Sequence, residues 1–179
     1  GEARRGRVSR SSSPGPEVWL LLPSLDTAEL GRRVEPRPAE RTPVIAVDGG
    51  AEVGEALGLD PEVVIGDMDS LRPAQRDLLA SRGVAEHRFP PDKDATDLEL
   101  ALDLAHRRWP EHRLVVLGGG GGRFDHLVVN LAVLSGPLVR SAHTTWLTID
   151  AHVTILRGPA EARFHLAEGE LVSLLAMHG

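Results

Sequence analysis

Residues 118–130 read Gly-Gly-Gly-Gly-Gly-Arg-Phe-Asp-His-Leu-Val-Val-Asn. The five glycines follow a short apolar run, Leu114–Leu117, and precede an amphipathic stretch that begins near Phe124. Strand, glycine loop, helix is an order suited to binding phosphate. Glycine lets the backbone approach an anion and take positive φ. The helix then aims unpaired N–H groups and the positive end of its dipole at that anion. Arg123 adds a planar fork that matches phosphate geometry. Asp125, His126 and Asn130 open the same helix, with His126 and Asn130 on one face. A flexible linker is also glycine-rich, but it does not usually join a buried-type strand to a capped helix. The stretch therefore reads as a βα junction in an α/β sheet.

Upstream, the same grammar repeats. Val18–Leu22 is an unbroken apolar run stopped by Pro23, as expected of a strand buried on both faces. Asp26 or Thr27 caps a short helix beginning there. Val44–Val47 runs straight into Asp48-Gly49-Gly50-Ala51. A carboxylate at the end of a parallel strand is where open α/β sheets place ligands, although Asp48 would equally serve as a cap for the helix Ala51–Leu57. Pro61–Ile65 ends in Gly66-Asp67-Met68-Asp69-Ser70. Carboxylates two apart on extended chain project to one side. At ~5 Å they repel by about 3 kcal/mol at an effective dielectric near 20, so a cation beside them is favoured. Oxygen-only ligands select a hard ion, and Mg²⁺ is usual beside phosphates. A turn capping the helix Pro73–Ser81 is the bland alternative.

Val84–Phe89 is a fourth strand with poor alternation. It leads to Pro90-Pro91-Asp92-Lys93-Asp94-Ala95-Thr96-Asp97 and a helix Leu98–Arg108 with a Leu98/Ala101/Leu102/Ala105 stripe. Thr96 and Glu99 fit a capping box. That leaves Asp92, Asp94 and Asp97 without a capping role, although the helix dipole favours an acid at Asp97. From Thr144 the pattern becomes alternating: Trp146–Ile149, Val153–Leu156, Arg163–Leu166 and Leu171–Met177. The expected organisation is a disordered leader over 1–16, an α/β domain over 17–140 with a Rossmann-like parallel sheet, and a small all-β module over 144–179. About 35 residues are too few for a self-standing β-sandwich, so these strands either pack on the first domain, or are completed by another chain, or belong to an incomplete module.

Composition narrows the function. The chain has 179 residues, a formal net charge of −6 and no cysteine. The charge disfavours a nucleic-acid partner. Thiolate metal sites, disulfides and a cysteine nucleophile are excluded. No apolar run approaches the ~20 residues of a membrane helix, and the Arg- and Ser-rich start lacks a signal core, so a cytoplasmic protein is the default. In a parallel sheet the four motifs would share one edge, with an acidic cluster facing a phosphate cradle. No Gly-Lys-Ser/Thr closes the glycine run, so it is not a P-loop. The dinucleotide fingerprint lacks its last glycine, because Arg123 stands there.

Four motifs in series, Asp48-Gly49-Gly50-Ala51, Gly66-Asp67-Met68-Asp69-Ser70, Lys93-Asp94-Ala95-Thr96-Asp97 and Gly121-Gly122-Arg123-Phe124-Asp125-His126 with Asn130, resemble those of the thiamine pyrophosphokinase family. The resemblance spans about Val18 to Met177. It implies transfer of pyrophosphate from ATP to thiamine, giving thiamine diphosphate and AMP, with Mg²⁺, by a homodimer with an α/β domain followed by a β-sandwich. It further implies Asp67, Asp69 and Asp94 as metal ligands and Asp97 as a weaker candidate. Asp48 or Asp125 would orient or deprotonate the hydroxyl. Gly119, Gly120, Gly121, Gly122 and Arg123 would hold the triphosphate, with Asn130 supporting them. Two other readings remain open at this stage: a pterin-type diphosphokinase, and a non-catalytic ATP-Mg²⁺-binding module with a shortened acceptor site.

Overall fold

The computed structural model describes residues 15–34, 37–69, 71–90, 94–166 and 168–177. Most of the expected leader, together with Ser70, Asp92 and Lys93, lies outside the described residues. Among the described residues, seven strands form one sheet: β1 (Glu17–Leu21), β2 (Val44–Val47), β3 (Val63–Gly66), β4 (Ala85–Arg88), β5 (Arg113–Leu117), β6 (His143–Leu147) and β7 (His152–Leu156). Five helices connect them: α1 (Thr27–Arg33), α2 (Gly50–Leu57), α3 (Pro73–Ser81), α4 (Asp97–Arg108) and α5 (Phe124–Ser135). The spatial order is β4-β3-β2-β1-β5-β6-β7. Every pairing is parallel except β6 with β7.

Past the Glu17–Arg113 ion pair at the start of β1 and β5, the central strands are apolar because both of their faces are covered. Along β1 the side chains divide by period two. Val18, Leu20 and Leu22 join one core, while Trp19 and Leu21 join the other. β5 divides the same way, Leu114 and Val116 against Val115 and Leu117. Helix α4 and Leu134 of α5 cover the first face; α1 and α2 cover the second, and Leu79 of α3 extends that layer over β2 and β3. The split follows from handedness. Parallel crossovers are right-handed, so β1→β4 winding lays its helices on one face. The return through α4 to β5 reverses direction and puts α4 and α5 on the other.

The expected break at Thr144 is revised for its first two strands. β6 lies parallel to β5, pairing Leu114 with Thr144 and Leu117 with Leu147, so β5-α5-β6 is one more βα unit of the same sheet. β7 then returns antiparallel as the edge. Alternation is what a half-covered edge strand shows, and it does not tell a sheet edge from a new module. Further on, the expected strand at Arg163–Leu166 is reduced to a single bridge at His165, and Leu171–Met177 forms no strand. Leu171 and Leu174 are almost wholly exposed. Among the described residues, no helix is long and apolar enough to cross a membrane.

Caps agree with the sequence reading. Asp26 accepts from Glu29 N–H at 2.8 Å at the start of α1, and the Thr96/Glu99 capping box is complete. One internal histidine gives a pH test. His106 on α4 is buried, and its Nε2 accepts the Arg140 N–H at 3.3 Å. Burial first, and the Arg140 charge second, push its imidazole below the ordinary histidine range. The unfolded chain therefore binds a proton more readily than the folded one. Stability is full above the unfolded value near ~6.5 and falls as pH drops toward and through the lowered folded value. The urea midpoint should fall between pH 7.5 and pH 5.5, and the fall should be smaller in His106→Gln. An equal fall in both would remove this assignment.

Candidate active site

Parallel register brings the strand ends to one edge. Leu21 pairs with both Ala46 and Leu117, Val47 with Ile65, and Gly66 with Arg88. The loops that follow β1, β2, β3, β4 and β5 therefore emerge together. Winding reverses between β1 and β5, and at such a switch point open α/β sheets leave a crevice for ligands.

The glycine loop follows β5 at that switch point. Gly118 N–H donates to Leu147 O and Gly119 N–H to Pro23 O, both at 2.9 Å. Trp146 Nε1 donates to Gly118 O at 2.7 Å within the core. Asn130, on the second turn of α5, donates from Nδ2 to Gly119 O at 3.0 Å. Gly118 has φ +85, and a Cβ there would stand 2.3 Å from Leu22 O; Gly119 has φ +71, with Leu22 Cδ1 at 2.5 Å. Only glycine fits either position. The first two glycines are thus anchors, and Asn130 is spent on holding them. The N–H groups of Gly120, Gly121 and Gly122 make no hydrogen bond among the described residues. With the first turn of α5 they form the part of the loop open to an anion.

Arg123 precedes α5 and is paired with Asp125, its Nε 3.1 Å from Asp125 Oδ1 and its Nη2 on Asp125 Oδ2. Both are well exposed. The guanidinium hydrogen bonds hold the Asp125 carboxyl below its usual range. His126 is exposed on the same turn.

Asp48 follows β2 with φ +47, a region that Asp tolerates better than most residues. Its N–H donates to Ile65 O at 2.8 Å, which ties the β2 and β3 loops together. It does not cap α2: the N-cap is Gly49, without a side-chain cap. Its carboxylate instead lies against Gly66, with Oδ1 1.7 Å from where a Gly66 Cβ would stand. The Asp48 carboxylate is thereby placed one residue from Asp67. In the β3 loop Met68 is fully buried, Asp67 is half-buried and Asp69 is exposed. Asp67 Oδ1 accepts the Asp69 N–H at 2.9 Å, and Arg76 Nη2 donates to Met68 O. Buried Met68 anchors the turn while its flanking carboxylates stay at the edge.

Asp94 is exposed in the segment after β4, and Asp97 is the first residue of α4. Among the described residues no three His, Asp or Glu side chains lie close enough to hold a metal ion. Asp67, Asp69 and Asp94 therefore share an edge without forming a protein cage. Their chemistry still fits Mg²⁺, which is usually bound by one or two carboxylates with waters and substrate phosphates.

Sequence reading missed three residues at the loop. Trp146 was expected in a separate module, yet it locks Gly118. Thr148 sits where a Gly120 Cβ would stand, 2.7 Å away. Ser24 Oγ, next to the Pro23 anchor, is enclosed and makes no hydrogen bond among the described residues. The spacing from α5 to the 143–147 run, that of another βα unit, was the available signal for Trp146 and Thr148. Nothing in the sequence marks Ser24.

Fold and site together define an α/β protein with an anion-suited glycine loop at the sheet's switch point and carboxylates on the neighbouring strand ends. Residues 39–146 match the family model for the thiamin pyrophosphokinase catalytic domain. The chain belongs to that family. It is 36% identical over 95 residues to the thiamine pyrophosphokinase of Bacillus subtilis, covering 53% of this chain and 44% of that protein. It is 35% identical over 79 residues to thiamine pyrophosphokinase 2 of Oryza sativa subsp. japonica, covering 41% of this chain and 30% of the relative. The crystal structure of the thiamin pyrophosphokinase of Geobacillus thermodenitrificans superposes with a TM-score of 0.56 at 25% identity, covering 73% of this chain and 58% of that one. The chain thus spans less than half the length of either curated relative.

Proposed function

We propose that this chain is the nucleotide-handling part of a thiamine diphosphokinase on a Rossmann-like sheet, transferring pyrophosphate from ATP to thiamine to give thiamine diphosphate and AMP. One observation carries the reading. Among the described residues, Asp48, Asp67 and Asp69 follow the ends of β2 and β3 at the same sheet edge as the glycine loop after β5, whose last three amides make no hydrogen bond there. A homodimer is part of the proposal.

In this reading the thiamine hydroxyl oxygen forms a bond to the β-phosphorus. The bond from that phosphorus to the oxygen bridging the α-phosphate breaks, and AMP leaves with that oxygen. The Gly120, Gly121 and Gly122 amides and the start of α5 hold phosphate oxygens in place. Trp146, Pro23 and Asn130 hold the preceding Gly118 and Gly119 in place before the reaction, so little reorganisation of the loop is needed as charge develops. Arg123 joins the amides once it exchanges Asp125 for a phosphate. Asp48, held against Gly66 beside Asp67, is the group assigned here to orient the hydroxyl and take its proton. Asp67 and Asp69, with Asp94 from the next loop, would hold Mg²⁺, which supplies neutralisation of phosphate charge.

The test is AMP formation from ATP and Mg²⁺ with and without thiamine. Thiamine-dependent AMP is the expected result. ATP binding with no AMP from thiamine would defeat the assigned reaction and leave a nucleotide-binding module.

A further inference from the structure

Leu25 and Phe124 are each 76% exposed, more than any other large hydrophobic residue outside the C-terminal segment 171–177 among the described residues. Both border the glycine loop. Leu25 lies in the turn after β1, and its Cδ1 is 3.1 Å from where a Gly122 Cβ would stand. Phe124 opens α5 directly after Arg123. Neither joins a core cluster. Most other aromatics are withdrawn from solvent: Trp19 and Trp146 are fully buried, Phe89 and Trp109 pack against the core, and Phe164, beyond the last strand, is 45% exposed. An aromatic ring left in water gains nothing for folding, and aromatic faces favour stacking partners.

We propose that Leu25 and Phe124 form a platform on which the planar heteroaromatic ring of a phosphate-site substrate stacks. The inference rests on the proposed function, and both of its substrates carry such a ring: the donor a purine, the acceptor a pyrimidine and a thiazolium. Position favours this occupant. A phosphate chain lying on Gly120–Gly122 starts beside Leu25 and Phe124, so a ring attached to that chain, or to the hydroxyl attacking it, reaches the platform. The polar groups flanking Phe124, Arg123 and Asp125, are paired with each other. Recognition here is by ring face rather than by hydrogen bonds to ring edges.

The experiment is calorimetric titration with tripolyphosphate, with ATP, and with thiamine beside a non-hydrolysable ATP analogue, all with Mg²⁺. Wild type, Phe124→Ala, Leu25→Ala and Phe124→Trp are compared. Phe124→Ala should weaken one ring-bearing ligand about tenfold and change tripolyphosphate by less than about twofold; Phe124→Trp should restore affinity. Weakened ATP identifies the donor base as the occupant, and weakened thiamine alone identifies the acceptor. Equal weakening of all three ligands would mean a disturbed loop and overturn the proposal. Unchanged affinities with an altered oligomeric state would make the platform a protein contact and also overturn it. A wild-type chain that binds ATP but not tripolyphosphate overturns the phosphate-site reading, and one that binds neither overturns both.

Discussion

Asp69→Asn should lower thiamine-dependent AMP formation by about a hundredfold or more in a chain that still folds. The substitution keeps shape and removes one charge. Asp69 is exposed, and changes at such positions usually alter stability by no more than ~0.5 kcal/mol. What it loses is half of a carboxylate pair built around buried Met68. Neutralising phosphate charge is worth several kcal/mol in transferases of this kind, and each ~1.4 kcal/mol is tenfold in rate. Raising Mg²⁺ should recover part of the loss, because the defect is in ion affinity. Turnover within about threefold of wild type, at an unchanged urea midpoint, would remove Asp69 from the metal set.

Gly118→Ala should be the most damaging single-methyl change in the loop. The left-handed conformation at φ +85 costs a non-glycine residue about 1–2 kcal/mol. A Cβ 2.3 Å from Leu22 O and 3.0 Å from Pro23 O meets backbone, which cannot rotate away. Overpacking of this kind adds about 1–3 kcal/mol. The sum, about 2–5 kcal/mol, is a large share of the ~5–15 kcal/mol typical of a domain. Relief would require the loop to lift, which loosens the Trp146–Gly118 hydrogen bond and the Leu147 and Pro23 anchors. Urea unfolding should show the loss, and ATP affinity should fall with it. A destabilisation below about 1 kcal/mol would mean that the loop is not clamped as described.

The α/β half of this architecture was legible because each strand is a short apolar run closed by glycine, proline or aspartate. Val44–Val47 and Pro73–Ser81 end where the residues say they should. The acids were legible as loop residues because a strand end followed by Asp has few other uses. Two things were hidden. The first is that β6 and β7 belong to the same sheet. Period-two alternation reports only that one face is wetter than the other, and an edge strand satisfies that as well as a separate sandwich does. The second is the division of labour within the glycine run. Five identical residues give no hint that Gly118 and Gly119 anchor while Gly120–Gly122 stay open. That distinction comes from Trp146 and Pro23, which are distant in sequence on one side or the other. Asn130 follows the same rule: its helical position was readable, its hydrogen bond to Gly119 O was not.

The most direct test of the account is the backbone amide spectrum of the chain titrated with ATP and Mg²⁺. The predicted result is a set of shifts at Gly120, Gly121, Gly122 and Arg123, joined by Asp48, Asp67 and Asp69, with the β7 edge unmoved. Shifts that spare the glycine loop, or that spread along β7 and the C-terminal segment instead, would contradict the placement of the nucleotide at the switch point.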